Sequence, residues 1–174
     1  MRTTITAITT LSRVCLGSVT AVAEDEATSA AEPAVYVSGT FENTVEQMPE
    51  PVMNPDTGVL EIRDGHLEFT SEGGDPRLAD PYVIDPLHMD IDPQTGVGRM
   101  WGTGHYEDPE GSWEGAIWGL HYPISEEDSG YTGSGWLTGS GAYEGLVYFY
   151  RGSFDGEESV FEGIVYAGEA PPLQ

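Results

Sequence analysis

The sequence predicts an all-β protein, an antiparallel meander closed into a small barrel of about eight strands. Short apolar and aromatic segments recur at close spacing from Ala34 to the C-terminal region, and none has a helical period. Clusters of Pro, Asn, Asp and Gly separate these segments and indicate turns. Closure is favoured over an open sheet because it removes edge strands, and glycines within the segments suit tightly coiled strands.

The chain order of the strands follows from these segments. Asp64-Gly65 and Asp155-Gly156 predict two-residue hairpin turns, and the first would place Glu61 opposite Glu68. Residues 54–58 and 92–96 predict two related turns, each with an early Pro and a final Gly. The strands are predicted near 34–43, 59–63, 66–70, 82–91, 97–107, 112–122, 131–140, 143–151 and 158–168.

Three regions are predicted along the chain. Residues 1–23 have the pattern of a signal peptide, with Arg2 and Arg13 before an apolar stretch and Ala21-Val22-Ala23 as the cleavage site. Residues 24–33 are acidic and small, which indicates a disordered linker. Residues 34–170 form the β-barrel domain. We therefore expect a secreted protein, periplasmic or extracellular.

The charge excludes several classes of partner. Thirty Asp and Glu face six Arg, for a net charge of −24. This charge repels phosphate backbones and anionic lipid, so no nucleic-acid partner is expected. No segment is long and apolar enough for stable membrane insertion. The sequence gives no indication of an oligomeric state. The acidic surface is either simply solvated, which we favour, or neutralised by bound Ca²⁺, in which case folding depends on salt or cations.

One six-residue pattern occurs three times, as WEGAIW from Trp113, YEGLVY from Tyr143 and FEGIVY from Phe161. In a strand, alternation puts each Glu on one face with the fourth and sixth residues. The hairpin closed by Asp155-Gly156 would put Glu162 on the face of Arg151 and Glu144 on the other face. The pattern therefore predicts strand structure rather than a shared carboxylate site.

The hairpin over 97–122 has two alternative registers. A two-residue loop sets His105 opposite Glu114 and Trp101 opposite Trp118, and a His beside a carboxylate suits acid–base chemistry. A three-residue loop with a bulge at Gly111 instead turns His105 to the other face. The sequence Pro-Glu-Gly favours the bulged loop.

Candidate site residues follow from these placements. For an enzyme, the candidate catalytic residues are Glu114, Glu162, His105 and Arg151. For a binding module, the candidate ligand-binding residues are Trp101, Trp113, Trp118 and Tyr148, although aromatic residues also fill small barrels without binding anything.

The four histidines lack metal-ligand spacing, so no metal is expected. No phosphate-binding or dinucleotide-binding motif occurs, so no cofactor is expected.

The stretch WLTGSGAYEGLVYFYRGSF, followed by FEGIVYAGEAPP, resembles uncharacterised secreted bacterial proteins with a GTGAYEGL-like signature. It is similar, more loosely, to allene-oxide-cyclase-like and dirigent-like β-barrels. The likeness covers roughly residues 97–170 and consists of glycines and aromatics. It implies an antiparallel barrel of about eight strands with a ligand-sized cavity. No catalytic residue of those families matches a position here.

These observations favour a binding or structural module for a small-molecule ligand. The alternative is a small cyclase or isomerase with its site inside the barrel. A binding module predicts an interior lined by apolar and aromatic groups. An enzyme predicts a buried carboxylate or His with a shifted pKa and a polar partner.

Overall fold

The computed structural model describes residues 33–78, 80–125 and 128–172, and this part of the chain forms nine β-strands. The predicted signal peptide and all but the last residue of the predicted linker lie outside the described residues. No helix in the described part has the length and apolarity needed to cross a bilayer. The strands are β1 (Val35–Gln47), β2 (Val52–Met53), β3 (Leu60–Gly73), β4 (Tyr82–Ile91), β5 (Gly98–Glu107), β6 (Gly111–Pro123), β7 (Ser129–Gly141), β8 (Leu146–Phe154) and β9 (Ser159–Ala167).

The sheet closes on itself. From β3 to β9 each strand pairs antiparallel with the next, β9 pairs with β1, and β1 pairs with β3. Eight strands therefore form a closed ring, while the two-residue β2 lies further along the same edge of β3, opposite Leu60 and Glu61. The predicted antiparallel meander closed into a barrel of about eight strands is confirmed.

Alternation decides which side chains enter the barrel. In β6, Trp113 and Ile117 point inward and are buried, whereas Glu114 and Trp118 point outward and are exposed. Burial of one large apolar side chain stabilises the fold by about 1.5–3 kcal/mol, so the interior set determines the stability of the ring. The largest fully buried side chains of this interior set are Trp113, Tyr148, Leu87, Leu137 and Val165.

The predicted hairpin at Asp64-Gly65 is wrong. Both residues lie inside the continuous strand β3, where Asp64 adopts a φ of 60° and the pairing with β4 shifts register around Gly65. Asp tolerates this left-handed conformation better than most residues, so the pair makes a bulge rather than a turn. Glu61 and Glu68 consequently do not face each other, and they pair with Asp90 and Val83 on β4.

The turn at Asp155-Gly156 is longer than predicted. Phe154 pairs with Ser159 rather than Glu157, so four residues form the loop. The Asp155 carboxylate caps this loop by accepting hydrogen bonds from the backbone N–H groups of Glu157 and Glu158, both at 3.1 Å. The register is displaced by two residues, which preserves facing, so Glu162 still shares a face with Arg151.

The strand predicted over 143–151 begins three residues late. Tyr143, Glu144 and Gly145 form a turn in which the Leu146 N–H donates to the Tyr143 carbonyl at 3.1 Å and Gly145 has a φ of 81°. The second copy of the six-residue pattern therefore spans a turn and a strand, whereas the copies beginning at Trp113 and Phe161 lie entirely in strands.

The register favoured for the hairpin over 97–122 is also wrong. His105 pairs with Glu114, and Trp101 pairs with Trp118, as the two-residue loop requires. The Asp108 side chain explains the choice, because its carboxylate accepts the N–H groups of Glu110 and Gly111 at 2.7 and 2.9 Å. These bonds hold a tight turn without a bulge.

The two related turns are confirmed. In each, the N–H of the final glycine donates to the carbonyl of the first residue at 2.8 Å, from Gly58 to Asn54 and from Gly96 to Asp92. Both glycines have left-handed φ angles, 72° and 71°, a conformation that glycine adopts without a steric penalty.

Candidate functional site

One end of the barrel is plugged by aromatic and loop residues. Trp113 is fully buried there, stacks on Tyr143 with ring centroids 5.3 Å apart, and donates its indole N–H to the Arg77 carbonyl at 2.7 Å. The Tyr143 hydroxyl donates to the Asp108 carboxylate at 2.5 Å, and Leu78 of the β3–β4 loop packs into the same core. These contacts tie the loops of this end to the barrel interior.

The opposite end is a wide vestibule of about 660 Å³. Its wall is mainly apolar, with Met48, Ile62, Leu87, Met89 and Ile91 among its lining residues. A cavity of this size lies within the usual range of about 300–1,000 Å³ for ligand pockets. Thioether side chains adapt to ligands of varied shape. The vestibule is therefore suited to an apolar molecule entering from this end.

Four residues on the vestibule wall also border a second, inner cavity, so the two cavities adjoin. They are Phe41, Phe69, Met100 and Tyr131. The inner cavity, called here the tyrosine chamber, has a volume of about 70 Å³ and is further lined by Tyr82, Tyr106, Tyr148 and Tyr150. Its described lining contains no carboxylate, imidazole or cationic group.

Two glycines give the tyrosine chamber its room. Gly133 on β7 and Gly152 on β8 are paired neighbours on the inward face. A Cβ placed on either residue would come no closer than 3.5 Å to other atoms, which is ordinary van der Waals contact. Their backbone φ angles are outside the left-handed range, so a side chain could be accommodated at either position. The space in front of Gly133 and Gly152 can therefore accept an added side chain.

The chamber hydroxyls are protonated at neutral pH. Burial raises the pKa of Tyr82, Tyr106, Tyr148 and Tyr150 well above the ordinary phenol value. Tyr82 and Tyr150 share one hydroxyl–hydroxyl hydrogen bond. Tyr148 is only 1% exposed, and its buried hydroxyl nevertheless has no hydrogen-bond partner among the described residues.

The structure separates the four predicted ligand-binding residues. Trp113 and Tyr148 lie inside, the first at the plugged end and the second in the tyrosine chamber. Trp101 lies on the outer face, where the guanidinium groups of Arg63 and Arg99 sit 5.2 and 4.9 Å from its ring centroid. Trp118 borders the chamber, but its side chain is directed outward and the residue is 40% exposed.

The four predicted catalytic residues all lie on the outer face. His105 and Glu114 are paired across β5 and β6, and Glu114 is exposed. Arg151 and Glu162 form an ion pair across β8 and β9. A hydrogen bond from the Tyr36 hydroxyl at 2.7 Å, together with Arg151, holds the pKa of Glu162 below its usual value. None of these side chains reaches the interior, so a reaction there would use other groups.

The sequence reading missed most of the chamber. Tyr82, Tyr106 and Tyr150 are not among the predicted site residues, although each faces inward like a predicted or buried neighbour on its own strand. Alternation was the available signal, since Tyr148 and Tyr150 are two residues apart on β8. Of the three tryptophans predicted to bind a ligand, Trp101 and Trp118 face outward.

The predicted pairing of Glu61 with Glu68, a like-charged pair that a bound cation would relieve, does not occur. Glu61 accepts a hydrogen bond from Asn54 at 2.7 Å and lies 3.2 Å from the Arg63 guanidinium, while Glu68 lies 3.0 Å from His66. Within the described ranges no group of three or more His, Cys, Asp or Glu side chains has the geometry to hold a metal ion. The Glu61–Glu68 argument for cation-dependent folding therefore falls away.

Comparison with protein-family models, curated proteins and solved structures gives no match to this chain. The resemblance to allene-oxide-cyclase-like and dirigent-like barrels therefore stays a prediction, and the functional argument depends on the geometry of the interior.

Proposed function

We propose that this protein is a binding module that takes a small, largely apolar molecule into the barrel interior. The observation that carries the proposal is the pair of adjoining cavities, a vestibule of about 660 Å³ and the tyrosine chamber, which share four lining residues. Packed interiors have few voids larger than a water molecule, so a barrel that served only as a structural spacer would be expected to fill this space with side chains.

The chemistry of the wall supports binding over catalysis. General acid–base catalysis needs a group that exchanges its proton near the working pH. The chamber tyrosines have raised pKa values and keep their protons, and the described chamber lining supplies no other titratable group. The enzyme alternative, a cyclase or isomerase acting inside the barrel, has no base in the described chamber wall.

A cavity-filling variant tests the proposal. Gly133→Leu places an apolar side chain in the chamber, and Thr132→Leu is the matched control because Thr132 is the exposed, outward-facing neighbour on the same strand. N-phenyl-1-naphthylamine, an uncharged dye that fluoresces in apolar surroundings, serves as the probe. Saturable binding to the unaltered protein is expected, with unchanged affinity in the control.

Gly133→Leu is expected to weaken dye binding roughly five- to hundred-fold, because forcing extra methylenes into an occupied site costs about 1–3 kcal/mol. Gly152→Leu fills the same space from the next strand and should act alike. Circular dichroism and thermal melting establish that each variant is folded. Absence of saturable binding to the unaltered protein, or equal affinity in Gly133→Leu and Thr132→Leu, contradicts the proposal.

A further inference from the structure

Tyr148, a residue of the chamber lining, carries a buried hydroxyl that the described part of the fold leaves unsatisfied. Tyr148 is 1% exposed and lines the tyrosine chamber, and its hydroxyl lacks a hydrogen-bond partner within the described part of the chain. An unpaired buried hydroxyl costs about 1–3 kcal/mol, and native proteins pair the large majority of such groups. A bound molecule that supplies the missing partner would recover this cost.

We propose that the Tyr148 hydroxyl holds the inner tip of the ligand, and that this tip is an uncharged hydrogen-bond acceptor such as a ketone, ester or ether oxygen. The inference rests on the proposed function, because it specifies the chemistry of the molecule that fills the same cavity. The predicted ligand is a slender apolar molecule with one oxygen near the end that enters first.

An acceptor fits because the hydroxyl proton has no partner among the described residues. Burial raises the pKa of Tyr148, so the phenol stays a donor throughout the physiological range. The hydroxyls of Tyr82 and Tyr150 share one hydrogen bond, whereas among the described residues the Tyr148 hydroxyl is the buried side-chain group with no partner at all. A ligand oxygen directed at Tyr148 would therefore meet an unpaired donor in mainly apolar and aromatic surroundings.

A negatively charged tip does not fit this chamber. A buried carboxylate needs a cation or several donors to offset its loss of hydration, and the described chamber lining offers one buried hydroxyl without any partner and no cation. The four described Arg side chains lie elsewhere, each in an ion pair: Arg63 and Arg99 with Asp90, Arg77 with Asp75, and Arg151 with Glu162.

The vestibule opposes an anion at the other end as well. Four glutamates are among its described lining residues, with no Arg and with His121 as the one basic side chain. Their negative potential repels anions approaching the opening. A fatty-acid carboxylate is therefore disfavoured in either orientation. The glutamates are Glu42, Glu46, Glu157 and Glu158.

Dimensions fix how the ligand is divided between the cavities. The tyrosine chamber, at about 70 Å³, is smaller than the 150 Å³ cavity that accommodates benzene in an engineered protein. It therefore takes only the tip of a molecule, and the vestibule receives the apolar remainder. A linear chain with an oxygen next to its terminal methyl group satisfies both volumes.

Competition against the bound dye tests this chemistry. The competitors are a long-chain methyl ketone, the alkane of the same chain length and the fatty-acid carboxylate of that length. Each is titrated into the unaltered protein, into Tyr148→Phe and into Tyr131→Phe. Tyr131→Phe is the matched control, because Tyr131 lines the same cavities but its hydroxyl is not a buried group without a partner.

Tyr148→Phe is expected to weaken ketone binding about three- to ten-fold, the loss of one neutral hydrogen bond, and to leave alkane binding unchanged or tighter. Tyr131→Phe should not discriminate between ketone and alkane, and the carboxylate should be the weakest competitor. Equal effects of Tyr148→Phe on ketone and alkane, or a carboxylate that competes best, overturn the inference while dye binding still supports the proposed function. Failure of the dye itself to bind overturns both.

Discussion

The unpaired hydroxyl of Tyr148 makes a stability prediction that needs no ligand. In Tyr148→Phe the ring keeps its packing and the buried hydroxyl is removed, so the ligand-free protein no longer bears the cost of an unsatisfied donor. That cost is about 1–3 kcal/mol, and the free energy of unfolding should rise by this amount. For a domain of this size, each kcal/mol corresponds to a rise in Tm of roughly 2–4 °C.

Tyr150→Phe provides a control with the opposite sign. The hydroxyls of Tyr150 and Tyr82 bond to each other, and Tyr82 is 9% exposed. Removing the Tyr150 hydroxyl leaves the buried Tyr82 hydroxyl unpaired, which should lower the free energy of unfolding by about 1–3 kcal/mol. Two chemically identical deletions, two residues apart on one strand, are thus expected to shift stability in opposite directions.

Urea denaturation followed by intrinsic fluorescence measures both variants. The midpoint should move up for Tyr148→Phe and down for Tyr150→Phe, with the m-value unchanged. A fall in stability for Tyr148→Phe would refute the reasoning, because it would mean that the hydroxyl is hydrogen-bonded in the free protein. The inference about the ligand tip would then lose its main support.

Three further predictions concern the rest of the barrel. Hydrogen bonding to Glu68 raises the pKa of His66 in the folded protein. The stability that this bond contributes is therefore present below the ordinary His pKa of about 6.5 and is lost as pH rises through the higher folded value. Urea denaturation across this range should show a decline in stability for the unaltered protein and none of that decline for His66→Gln. The hydrogen bond from Tyr143 lowers the pKa of Asp108 and raises the pKa of Tyr143 to about 12. Tyr143→Phe should therefore lower the free energy of unfolding most between about pH 4 and pH 10. An equal loss of stability in acid, measured by urea denaturation, would contradict this. Gly58→Ala should lower Tm, because the left-handed φ of 72° costs an alanine backbone about 1–2 kcal/mol. No atom lies within 4 Å of the added Cβ, so no steric clash adds to that cost. Gly58→Asn should lower Tm less, since Asn tolerates this conformation better.

The fold class could be predicted because it depends on many positions at once. Turn residues such as Asp92 and Gly96 act locally, and their side-chain and backbone hydrogen bonds form as the sequence predicts. The pair Asp64-Gly65 has the same local signal as a hairpin turn, yet it lies within β3. There, pairing with β4 along the whole strand outweighs the local preference, and sequence alone does not register that tertiary contribution.

The site was harder to predict because it depends on register. An error of two residues at Asp155-Gly156 left the facing of Glu162 intact, whereas the favoured bulge at Gly111 would have reversed the facing of His105 relative to β6. The side chain of Asp108 decides between a tight turn and a bulge through two backbone hydrogen bonds. These two hydrogen bonds set the register of the hairpin, and the register determines which side chains point into the barrel.

The closed ring divides the chain chemically, and this division explains why the carboxylates predicted as catalytic candidates lie away from the interior. Outward positions receive charged groups, and there Arg151 and Glu162 can pair with each other at a solvated surface for little net energy. Around the tyrosine chamber the described lining contains no charged residue, so the polar chemistry there is mainly that of phenols, which burial keeps neutral. Function in such a barrel is therefore to be sought where glycines such as Gly133 leave space beside a phenol without a partner, rather than where acidic residues recur in the sequence.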